Sequence, residues 1–142
     1  MSASMMKTSL WLAMAGLMIC AWTGCGDGVF HEPWREQKLP NGQSVKIKGL
    51  LMAWGVEHDE PRRPEQDCFV LQFVYNAPAA GAEAHEREAK DVFELIRPLS
   101  EQWGFTNAEV MAYATVEPDR HYDLFFFERG ADGKWSTRLE RH

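Results

Sequence analysis

From residue 44 onward, runs of apolar and polar side chains show the period of two that marks strands, interrupted once by a helical period. Residues 34–39 read as a first short strand. Pro40, Asn41 and Gly42 follow as a turn, because Asn and Gly tolerate the positive φ that tight hairpins demand. Residues 44–56 read as a long strand in which Val45 and Ile47 alternate with Lys46 and Lys48. Its second half, Leu50, Leu51, Met52, Ala53 and Trp54, is apolar on both faces and belongs in the middle of the structure. Residues 57–66 are charged and hold Pro61 and Pro64, which makes them a loop. Residues 68–75 return to strand, with Phe69, Leu71, Phe73 and Tyr75 on one face and Cys68, Val70, Gln72 and Val74 on the other.

The period then changes. Ala89, Val92, Phe93, Ile96, Leu99 and Trp103 recur at spacings of three and four, so residues 82–103 predict one amphipathic helix. Glu83, Glu86 and Glu88 sit early, where the helix dipole favours acid. Pro98 removes one backbone hydrogen bond and kinks the last turns, and Gly104 offers a left-handed stop with Phe105 folding back. Strands are expected again over 109–116, 122–129 and 134–139, the last two joined by a turn at 130–133. The expected fold is α+β: an antiparallel twisted sheet of about five to six strands, with the single helix packed on one face.

One helix covers one face of a sheet, yet the central strands are apolar on both. Either the sheet coils until its loops bury the second face, or that face meets a partner, a second copy or an apolar ligand. Met52, Trp54, Val70 and Val74 share strand parity and are the expected contributors to such an interaction face.

The N-terminus carries a separate signal. Lys7 precedes an apolar or small-residue run over 10–22, well short of the roughly 20 residues a membrane span needs. It fits the core of a secretory signal. The run ends at Thr23, Gly24 and Cys25, which resemble the lipobox of bacterial lipoproteins; Trp22 departs from the Leu-like residue usual there. The resemblance implies cleavage after residue 24, acylation of Cys25 and anchoring in a bilayer, since each buried CH₂ contributes about 0.8 kcal/mol. Gly26 beside the cysteine implies the outer membrane, facing the periplasm. Residues 1–24 are then signal, 25–33 a lipidated tether and 34–142 a single domain.

The full chain has 142 residues and a formal net charge of −6, which argues against a nucleic-acid partner. The lipobox resemblance implies that, of its cysteines, Cys20 leaves with the signal and Cys25 takes lipid. Cys68 alone remains, so the domain has no internal disulfide. No motif for a cofactor appears: there is no phosphate-binding glycine loop and no nucleophile elbow. Glu57, His58, Asp59 and Glu60 form the densest ligand cluster, but neighbouring side chains diverge, and further ligands would have to be recruited from His31, His85 or His121. A solvated loop is the plainer reading. His85 lies beside the helix's apolar stripe as a boundary residue. Cys68 needs a lowered pKa to act as a nucleophile, whereas Asp67 beside it raises it; a small buried strand residue is the plainer reading. Trp54, Trp103 and Trp135 fall inside elements and are expected to pack in the core.

The expected protein is therefore a membrane-anchored envelope lipoprotein with a small non-enzymatic binding domain. It is attached to the bilayer through Cys25 and faces an envelope protein or a second copy of itself. The alternatives are a small envelope hydrolase or metal-dependent enzyme using His58, Asp59 and His121, and an inhibitor or immunity-like protein acting through loop 57–66.

Overall fold

Six strands line up in the order of the chain: β1 (Arg35–Lys38), β2 (Ser44–Ala53), β3 (Cys68–Val74), β4 (Asn107–Tyr113), β5 (Asp123–Arg129) and β6 (Trp135–Arg141). Between β3 and β4 come helices α1 (Ala82–Phe93) and α2 (Arg97–Gln102). The computed structural model describes residues 33–55, 61–117 and 121–141, and residues 33–142 form one compact unit. The signal segment, Cys25, His31, residues 57–60 with His58 and Asp59, and residues 118–120 lie outside the described residues.

The sheet is mixed, which corrects the antiparallel expectation. Four neighbouring pairs are antiparallel, but β3 and β4 run parallel, Cys68 beside Asn107 through Val74 beside Tyr113. The helical segment is the reason. A crossover that spans the sheet returns the chain to the edge where β3 began, so an adjacent β4 must run the same way.

The helix is also two pieces rather than one. After Phe93 the backbone tightens, with Leu95 N–H donating to the Val92 carbonyl at 3.0 Å and Ile96 N–H to Phe93 at 2.9 Å. Pro98 cannot donate to the carbonyl of Glu94, and its ring disfavours helical geometry at the residue before it, so the chain restarts as α2 with the proline in its first turn. The far end closes as expected. Gly104 is left-handed at φ 72°. Phe105 N–H reaches back to Ser100 at 2.9 Å and Gly104 N–H to Glu101 at 3.1 Å, which satisfies two orphan carbonyls.

Both helices pack on one face. Ala89, Val92, Phe93, Ile96 and Leu99 of the helical segment are buried, as are Leu71, Phe73, Val110, Phe125 and Phe127 on one face of the sheet. Phe93 stacks on Phe127 with centroids 4.0 Å apart. Each such aromatic contributes on the order of 1.5–3 kcal/mol by leaving water. Trp103 and Trp54 are exceptions to the expected core, at 47% and 54% exposed. Trp103 lies where α2 ends and Trp54 one residue beyond β2, past the reach of the helical layer.

Candidate functional site

The face opposite the helices is built by alternation. Phe69 and Leu71 point to the helical side, so Cys68, Val70, Gln72 and Val74 point away. Residues paired across strands share a face, so the register extends this surface. Leu51, Val70, Glu109, Phe126 and Arg138 form one row across five strands, and Gln72, Met111, Leu124 and Glu140 a second. Neither helix lies on these rows.

The four residues expected to form an interaction face do not share one. The pairing of β2 with β3 slips between Ile47 and Gly49. Before the slip Ile47 stands opposite Phe73; beyond it Met52 stands opposite Phe69 and Leu51 opposite Val70. One extra residue inverts the parity of everything that follows. Met52 therefore belongs to the helical face, while Val70 and Val74 keep the helix-free face together with Leu51. Trp54 lies beyond the paired register, its ring covered by the Arg62 guanidinium at 4.4 Å.

At the centre of the helix-free face stands a carboxylate. Glu109 lies between Val70 and Phe126 in the cross-strand row, and burial pushes its pKa up from the ordinary 4.5, with the negative charge of Glu140 adding to the shift. The Cys68 thiol hydrogen-bonds to it, which works in the opposite direction. Cys68 is buried, and burial, then the charges of Glu109 and Asp67, push its thiol up to about 12. That agrees with the expected effect of Asp67 and leaves Cys68 a strand residue rather than a nucleophile.

Aromatic residues close one end of the face. Trp34 meets Tyr113 edge-on at 5.8 Å, and its indole N–H donates to the Val116 carbonyl at 2.9 Å. Tyr122 lies 5.8 Å from Tyr113, and Lys48 Nζ is 5.8 Å from the Trp34 ring. The residue before β1 thus leans over the surface of β4. At the opposite margin the Arg138 guanidinium lies 4.5 Å over Phe126.

His85 belongs to a different cluster, on the helical side. Its ring stacks on Tyr75 at 3.9 Å, with Nε2 at 3.1 Å from the Ala77 carbonyl and Nδ1 at 4.0 Å from Asp123. The Tyr75 hydroxyl donates to that same Asp123 oxygen at 2.8 Å. Glu88 accepts the Asn76 backbone N–H at 2.6 Å. These groups bind the loop after β3 to α1 and β5, a structural role that the isolated helical position of His85 does not reveal. His121 is exposed. Among the described residues no three His, Cys, Asp or Glu side chains are grouped to hold a metal ion, and no helix is long and apolar enough to cross a membrane.

Glu109 is the residue that sequence reasoning missed. On its own strand it is a polar residue between Ala108 and Val110, which is ordinary alternation. Its apolar neighbours come from other strands and appear only once the register is known. Comparisons of the chain with protein-family models, with curated proteins and with solved structures find no match.

Proposed function

We propose that this chain is a lipid-anchored protein of the bacterial envelope, tethered through acylated Cys25. In this reading its domain is a non-enzymatic binding module that works through the helix-free face of the sheet. The observation that carries the reading is the row Leu51, Val70, Glu109 and Phe126. Val70 and Phe126 flank a carboxylate whose pKa is raised by burial, with Leu51 next along the row, on the face opposite both described helices. A group kept at a cost in desolvation is characteristic of a site shaped by use rather than by stability. The occupant this surface suits is a protein surface with apolar side chains around one basic side chain aimed at Glu109. Contacts to both would exclude water and strengthen the charge pair.

Photo-crosslinking tests this directly. A benzophenone amino acid replaces Gln72, on the helix-free face, or Arg87, exposed on α1, in the full chain expressed in a bacterial envelope. One dominant adduct from position 72 that is absent from position 87 and lost with Glu109→Lys is the expected result. Adducts from both positions, or none from 72, overturn the binding role of this face. The anchor is read separately: Cys25→Ser should abolish incorporation of labelled palmitate and release the chain from the membrane fraction.

A further inference from the structure

The two edges of the sheet are unlike. β1 is four residues long and reads Arg35, Glu36, Gln37, Lys38, polar throughout. Short and charged is how exposed edges are protected against pairing. β6 is seven residues, Trp135 to Arg141, with no proline, no glycine and an unbroken register against β5. Among the described residues no strand pairs with its outer side.

The phase of its free hydrogen-bonding groups follows from the hairpin. Gly130 N–H donates to the Lys134 carbonyl at 2.8 Å, so that pair is hydrogen-bonded. Hydrogen-bonded and non-bonded pairs alternate along an antiparallel ladder. Lys134, Ser136, Arg138 and Glu140 therefore direct their backbone groups to β5, and Trp135, Thr137, Leu139 and Arg141 direct theirs outward. Agreeing with this, Arg129, opposite Trp135, turns its N–H away from β6 to the Thr106 carbonyl at 2.8 Å.

We infer that β6 is a self-association edge, pairing antiparallel with β6 of a second copy about a twofold axis at Thr137. That register pairs residues 135–139 of the two strands through their outward backbone groups and matches opposite charges across the seam. It sets Trp135 opposite Leu139 of the second copy on the helical face, where both are half-buried at the sheet margin. On the other face it sets Lys134 opposite Glu140 and Ser136 opposite Arg138, in non-hydrogen-bonded pairs, where side chains stand closest. Each copy supplies both charges, so the complementary pair forms twice. Glu140 then lies between Arg138 of its own strand and Lys134 of the other copy. Centring the axis one residue on, at Arg138, keeps the backbone phase but sets the two Arg138 side chains face to face in a non-hydrogen-bonded pair, a like-charge contact that the register at Thr137 avoids. The dimer continues one sheet through both molecules and leaves the helix-free face open, so it is independent of the binding role proposed above.

Thr137→Cys in the full detergent-solubilised chain is the test. Hydrogen-bonded partners lie about 5.5 Å apart at Cα, within the range a disulfide spans. Mild oxidation should link most of the Thr137→Cys chains into dimers and leave Gln37→Cys, on the β1 edge, unlinked. Linking no greater than that of Gln37→Cys overturns the proposal. Native mass spectrometry of chains without added cysteines gives the second arm. The unmodified chain should be a dimer, Lys134→Glu a monomer with unchanged circular dichroism, and Lys134→Glu with Glu140→Lys a dimer again. A monomeric unmodified chain, a dimer that survives Lys134→Glu, or a double variant that stays monomeric overturns it.

Discussion

Asp67 and Gly55 meet across the neck of the loop between β2 and β3, where Asp67 Oδ1 accepts the Gly55 N–H at 2.9 Å. The other carboxylate oxygen binds Arg62 at 2.5 Å, and Arg62 in turn covers Trp54. A buried carboxylate thus closes the loop by accepting from both of its arms. The same neck brings the Arg63 N–H to the Gly55 carbonyl at 2.5 Å.

Acid should open this neck. The Arg62 hydrogen bond, and then the Gly55 N–H, hold the Asp67 carboxyl below its ordinary value of 3.8. The folded chain therefore stays charged where the unfolded chain has begun to protonate. The resulting stability is complete above 3.8 and is lost as pH falls through the folded value. Urea midpoints measured across that range should fall more steeply for the native chain than for Asp67→Asn. Parallel curves would remove the carboxylate from the account.

Gly55→Ala should be destabilising by about 1–3 kcal/mol. A Cβ at this position meets the Arg63 carbonyl and the Gln66 side chain inside ordinary contact distance. The urea midpoint should drop with an unchanged slope; a neutral result would mean that the neck yields freely.

Glu109→Gln should raise stability at neutral pH while weakening capture by the helix-free face. Burial lifts the folded carboxyl above 4.5, so the native chain loses stability as pH rises through the folded value. The advantage of the glutamine variant should shrink toward acid and vanish below 4.5. Thermal melts over that range check the sign, and a less stable variant at neutral pH would contradict it.

Cys68 should resist alkylation in the folded chain. Its thiol is buried and its pKa is pushed up to about 12, leaving almost no thiolate near neutrality. Peptide mapping after iodoacetamide should find Cys68 modified only when denaturant is present, and labelling of the native chain would overturn this assignment.

Ser100→Ala should stabilise. The Ser100 side chain on α2 is fully buried, and its hydroxyl has no hydrogen-bond partner. A buried unsatisfied group costs on the order of 1–3 kcal/mol, which the alanine does not incur. A urea midpoint that falls would point to a partner for the hydroxyl.

The local alphabet of this fold was legible in the chain. Alternating or apolar runs marked the strands from β2 to β6, Asn41 and Gly42 marked the first hairpin, and the stripe from Ala89 to Leu99 marked the buried helical face. Gly104 and Phe105 announced where α2 stops. These signals depend on neighbours a few residues apart, which a sequence contains in full.

The tertiary structure decided which side each strand shows and which way it runs. A single slip between Ile47 and Gly49 moved Met52 to the helical face and Leu51 to the other. No run of apolar letters records a bulge, because both parities of β2 are apolar beyond it. The direction of β4 came from the crossover returning the chain to its starting edge, and Glu109 acquired its apolar surroundings from β3 and β5. Amphipathic pattern is a one-dimensional property and survives in the sequence. Register and adjacency are set by the pairing of distant backbone groups, and only the folded sheet makes them.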